Sequence, residues 1–78
     1  MNDSISYHER FLQYRLDELE LSVRTAHSLQ NLGLVYVIDL VRKSEDELLA
    51  TKALTRASID ELKSYLAEMG LALGLQIG

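Results

Sequence analysis

A chain of 78 residues with no cysteine, no proline, four glycines and 47% hydrophobic residues reads as one small domain. Disulfides and thiolate metal sites are excluded, and a chain this short hides only about 60% of its unfolded surface, so helix packing must supply its stability. The formal charge of −4 argues against strong non-specific nucleic-acid binding, which needs clustered Lys and Arg, yet leaves room for a local cationic site.

No apolar run approaches 18 residues, so no transmembrane helix is expected. The start MNDSISYHERF lacks a basic lead followed by an apolar stretch, so no signal peptide is expected either, and the cytoplasm is the default location.

Residues Met1 to Ser6 are polar. From Tyr7 to Leu16, Tyr7, Phe11 and Tyr14 recur at helical spacing with Leu12 and Leu16 beside them, and Asp3 or Ser4 is available as a cap. This gives an amino-terminal arm over residues 1–15, helical from about residue 7, ahead of a main domain over residues 16–78. The aromatic stripe is expected to fold onto its own core, with a homodimer contact as the alternative.

Ser22 predicts an N-cap for a helix running to about Leu32, with Gly33 in the left-handed position that ends it. Val23, Ala26, Leu29 and Leu32 recur every third residue and are expected to face the core, with Leu34 closing the turn. Tyr36 to Arg42 predicts a short second helix that buries Val37, Leu40 and Val41. The run VYVIDLV also suits a strand, but no partner strand is evident elsewhere.

Ser44-Glu45-Asp46-Glu47 forms a capping box ahead of Leu48 and Leu49, and its three acids suit the helix dipole. Thr51 to Thr55 connects this third helix to the last one. Ser58 with Glu61 forms a second possible capping box, with Thr55 as a cap one turn earlier. Ile59, Leu62, Leu66 and Met69 share one face, and Gly70 stops the helix. The tail LALGLQI is apolar enough that Leu71, Leu73, Leu75 and Ile77 are expected to pack back in part.

The fold expected is therefore all-α: a compact four-helix core whose last two helices form a helix-hairpin-helix, plus the helical arm. The physical use of such a hairpin is to aim helix N-terminal N–H groups at a phosphate. Nothing points to catalysis: there is no nucleophile elbow, phosphate loop or HExxH, and a Ser58–His27 pair would have little room for a cleft. His8 and His27 lack metal-ligand spacing, so neither a metal nor another cofactor is expected.

The run Glu18-Leu19-Glu20-Leu21-Ser22-Val23-Arg24-Thr25-Ala26, then Tyr36-Val37 with Asp39-Leu40, resembles the carboxy-terminal domain of the bacterial RNA polymerase alpha subunit. The closing ELKSYLAEMGLALGLQI resembles that family's final block, so the likeness covers about Leu16 to Ile77. It implies weak binding of A/T-rich DNA through the minor groove, and with Met1 opening the chain a stand-alone relative is expected, an excised domain being the alternative. Arg24, His27 and Ser28 would supply the contacts on the first helix, and Thr55, Arg56, Ser58 and Glu61 those at the hairpin. The sequence departs from the family pattern at several of these positions. His27 and Ser28 stand for Asn and Cys, Lys52 for Pro, Thr55 for Gly, and Ala57 for a Lys.

The resemblance also implies that Glu18 and Glu20 meet a basic patch on a sigma factor, with transcription regulators as further partners. A DNA-binding module would be nucleoid-associated. The alternative function is a protein–protein interaction module, docking to a sigma factor, a regulator or itself, that has lost DNA contact.

Overall fold

The computed structural model describes residues 10–75. The expectations for Met1 to Ser6, for Tyr7 and His8, and for Ile77 lie outside the described residues. The fold is all-α. A 3-10 turn (Leu16–Glu18) leads into α1 (Val23–Asn31), α2 (Val37–Val41), α3 (Glu45–Ala50) and α4 (Arg56–Glu68).

The arm departs from expectation at its end. Residues 10–12 are helical, but the helix stops before Leu16. Leu16 is 4% exposed, and its N–H donates to the Val35 carbonyl at 2.7 Å, while the Val37 N–H donates to the Tyr14 carbonyl at 2.9 Å. A continuing helix would tie these groups to its own backbone instead. The backbone extends here so that Leu16 enters the core and residues 14–16 pair with residues 35–37. Arg15 and Tyr36 thus form an isolated antiparallel bridge. The strand character of VYVIDLV is realised at this one residue before α2 takes over. Phe11 and Leu12 pack against the core, and Phe11 meets Tyr14 edge-on with ring centroids 5.4 Å apart.

Ser22 caps α1, its hydroxyl accepting the Thr25 N–H at 3.3 Å, and Gly33 follows the helix at φ 76°. The buried face of α1 is rotated from the one expected. Val23 is 86% exposed, whereas Thr25 is fully buried beside Leu29. Hydrophobic spacing misplaced this face because a polar contact, not an apolar one, orients the first turn. α2 buries Val37, Leu40 and Val41 completely, as expected. The capping box of α3 is also present: the Glu47 N–H donates to Ser44 Oγ at 3.1 Å and the Ser44 N–H to Glu47 Oε1 at 2.8 Å.

Of the two possible caps for α4, Thr55 is used, its hydroxyl accepting the Ser58 N–H at 3.2 Å. Ser58 is therefore inside the helix, and the Ser58–Glu61 capping box does not form. Ile59, Leu62, Leu66 and Met69 are all buried, and Gly70 ends the helix at φ 75°. The tail folds back on α2: the Gly74 N–H donates to the Lys43 carbonyl and the Leu75 N–H to the Val41 carbonyl. Leu71 is buried and Leu73 half-buried, but Leu75 remains 37% exposed.

The connection between α3 and α4 holds Lys52 at φ 62°, a left-handed conformation that costs an L-residue about 1–2 kcal/mol. A Lys52→Gly variant is expected to raise stability by about 0.5–1 kcal/mol, after allowing for the greater freedom of glycine in the unfolded state. Urea unfolding checks this; a lowered midpoint would mean that the lysine side chain outweighs its backbone strain.

Candidate nucleic-acid interface

The site begins with a polar seam between the first turns of α1 and α4. Glu61 reaches across from α4, where its Oε2 accepts the Ser22 N–H at 2.6 Å. Its Oε1 lies 3.0 Å from Ser22 Oγ and 2.7 Å from Thr25 Oγ1. Thr25 Oγ1 is also 2.8 Å from Ser58 Oγ. A hydroxyl has one proton, and the charged oxygen is the stronger acceptor, so the Thr25 proton goes to Glu61 and the Ser58 hydroxyl donates to Thr25. Every buried side-chain polar atom among the described residues is satisfied.

Glu61 thus caps α1 from another helix, and the hydrogen bond from Ser22 N–H is the main reason its carboxyl titrates below the usual carboxylate range. Ser22 and Thr25 bracket Arg24. Fixing them against Ser58 and Glu61 places the arginine-bearing helix start beside the start of α4.

Arg24 itself is exposed, and among the described residues no hydrogen bond or ion pair engages its guanidinium. His27 is exposed and Ser28 half-buried. As the i+3 and i+4 neighbours of Arg24 they share its flank of α1. Thr55 is exposed but spends its hydroxyl as the α4 cap, Ser58 is 4% exposed, and Glu61 is half-buried.

Arg56 is not gathered with the others. Its Nη1 donates to Glu45 Oε2 at 2.8 Å, and Lys63 Nζ donates to Glu45 Oε1 at 3.0 Å. Residues 56 and 63 lie seven apart, hence on one flank of α4, and that flank faces α3. Ser58 and Glu61 occupy the flank toward α1. Ser58 and Glu61 therefore line the α1–α4 seam with Thr55 capping α4 beside them, Arg24, His27 and Ser28 share one flank of α1, and Arg56 leans toward α3.

Of the acids in the lead-in, Glu18 accepts the Arg15 N–H at 2.9 Å and so closes its own 3-10 turn. Glu20 is exposed, and its carbonyl accepts the Tyr65 hydroxyl at 2.8 Å, which pins the lead-in to α4. Arg15 and Asp17 pair at 2.9 Å, both 53% exposed.

Sequence reasoning missed Thr25, Glu45, Lys63 and Tyr65. Thr25 carried a faint signal, a threonine one position from an expected core alanine. No sequence signal pairs Ser22 with a carboxylate 39 residues away. Residues 2–68 match the family model for the C-terminal domain of the bacterial RNA polymerase alpha chain.

Proposed function

The protein belongs to the family of the C-terminal domain of the bacterial RNA polymerase alpha chain, a transcription-related, non-catalytic family that contacts DNA and transcription factors, and from that premise we propose that it binds A/T-rich DNA weakly through the minor groove. One observation carries the reading: a guanidinium with no intramolecular partner among the described residues, Arg24, stands on a helix start locked to the start of a thirteen-residue helix. A narrow A/T-rich minor groove concentrates negative potential, and an inserted arginine reads that shape rather than base identity.

The free N–H groups at the start of α4 then face backbone phosphate, with the dipole of the helix behind them. His27 adds a donor on the Arg24 flank. Ser58 and Glu61 act from behind the interface, holding the two helix starts in register, while Thr55 shapes the entry to α4. Arg56 contributes once it leaves Glu45. With few cations engaged, binding is weak and its dependence on salt is shallow.

The second reading, a docking module for a sigma factor or regulator, draws support from Glu20, whose carboxylate is exposed while its backbone is fixed by Tyr65. An amide-resolved NMR titration with an A-tract duplex at low salt separates the two. Shifts centred on Arg24, His27 and Thr55 to Glu61 are expected. No shift at up to millimolar duplex would reject DNA contact and leave the docking reading, for which reversal of Glu18 and Glu20 to Lys should abolish partner binding.

A further inference from the structure

The Glu45 carboxylate holds two cations of α4 at once, and they are not equivalent. Arg56 is the first residue of α4, its side chain 67% exposed, and Lys63 lies two turns further along at 50%. Glu45 itself is 31% exposed, so the pair with Arg56 is a solvent-facing contact of the weak kind. Its carboxyl lies below the usual range, first because Lys63 donates to it and only then because of Arg56. Lys63 can therefore keep Glu45 neutralised after Arg56 has gone. Arg56, for its part, is the first residue of α4, within a side chain's reach of a phosphate held on the α4 amides, and a guanidinium meets phosphate with two parallel hydrogen bonds.

We propose that Glu45 is an internal competitor for DNA, holding Arg56 away from the α4 entrance until a backbone phosphate displaces it. The inference rests on the DNA reading above and adds an autoinhibitory contact to it. Glu45 lowers affinity without touching DNA, and Lys63 makes the exchange cheap by staying behind. Asp46, one residue on, carries the same formal charge, is exposed and forms no ion pair among the described residues, so it serves as the control for general charge.

The test is fluorescence anisotropy of an A-tract duplex across a potassium chloride series, with wild type, Glu45→Gln, Arg56→Ala, the double variant and Asp46→Asn, each shown to be folded by circular dichroism. Glu45→Gln is expected to bind about two- to fivefold tighter at low salt. Its salt slope should stay close to that of wild type, because Arg56 reaches the same phosphate in both, whereas Arg56→Ala should flatten the slope by about 0.9. The gain should vanish in the double variant and be smaller in Asp46→Asn. Unchanged affinity in Glu45→Gln, a gain that survives loss of Arg56, or an equal gain from Asp46→Asn overturns the proposal. Arg24-dependent binding that ignores Glu45 removes only this contact, whereas no binding by wild type and Glu45→Gln alike overturns the DNA reading as well.

Discussion

Replacing Glu61 with glutamine is expected to destabilise the fold by about 2 kcal/mol at neutral pH, near the middle of the range for hydrogen bonds to a charged group. The loss comes from geometry. Glu61 accepts three donors from α1 through its two oxygens, and both oxygens are used. An amide keeps one acceptor oxygen, so its NH2 group must face either the Ser22 N–H or the two hydroxyls, and one donor set loses its partner. For a domain of this length the change corresponds to a fall in Tm of roughly 8–16 °C, readable by thermal circular dichroism.

The pH dependence has a definite sign. The folded-state pKa of Glu61 is depressed, chiefly by the Ser22 N–H, so its contribution is complete above the unfolded value near about 4.3 and is lost as pH falls through the folded pKa. Wild type and Glu61→Gln should therefore differ most at neutral pH and converge under acid. A gap that stays constant from pH 7 down to pH 3 would show that the charge on Glu61 is not what holds α1. The depressed carboxyls of Glu45 and Glu47, held by Lys63 and by the Ser44 N–H respectively, push stability in the same direction.

Local signals were legible wherever one side chain serves its own element. The Ser44–Glu47 box, the Ser22 cap, the stops at Gly33 and Gly70 and the buried face of α4 all depend on residues within a turn of each other. What the sequence concealed is long-range and polar. The rotation of α1 that exposes Val23 and buries Thr25 is set by contacts 33 and 36 residues away. The premature end of the arm helix is set by pairing with residues 35–37. Arg56 looked like a member of the interface because of its position along the sequence, and only the fold shows it leaning toward Glu45.

The connection at Lys52 is a further departure written in backbone rather than side chains. Proline fixes φ near about −65°, so the proline that the family pattern carries at this position cannot adopt the positive φ found here. The route into α4 therefore differs locally from that pattern, even though Thr55 still caps the helix and Leu54 still fills the core at 4% exposure. Thr55 in place of glycine also brings a side chain to the entrance of α4 and spends its hydroxyl on the Ser58 N–H. Under the proposed DNA reading, these changes leave the burden of groove recognition on α1.

Arg24→Ala should accordingly abolish the salt-sensitive component of A-tract binding while leaving stability within about 0.5 kcal/mol of wild type, as expected for an exposed residue outside any polar network of the described residues. Arg24→Lys should recover only part of the affinity, because a compact, strongly hydrated ammonium enters a narrow groove less readily than a planar guanidinium. The pair separates recognition from simple attraction. If charge alone mattered, lysine would restore binding to both A-tract and mixed-sequence duplexes. If groove shape is read, the preference for the A-tract should shrink even where affinity survives. Anisotropy on both duplexes at two salt concentrations distinguishes these outcomes, and binding by Arg24→Ala equal to that of wild type would move the contact away from α1 altogether. The bonds to Glu61 make the comparison clean, since Ser22 and Thr25 hold the helix start in place whichever residue stands between them.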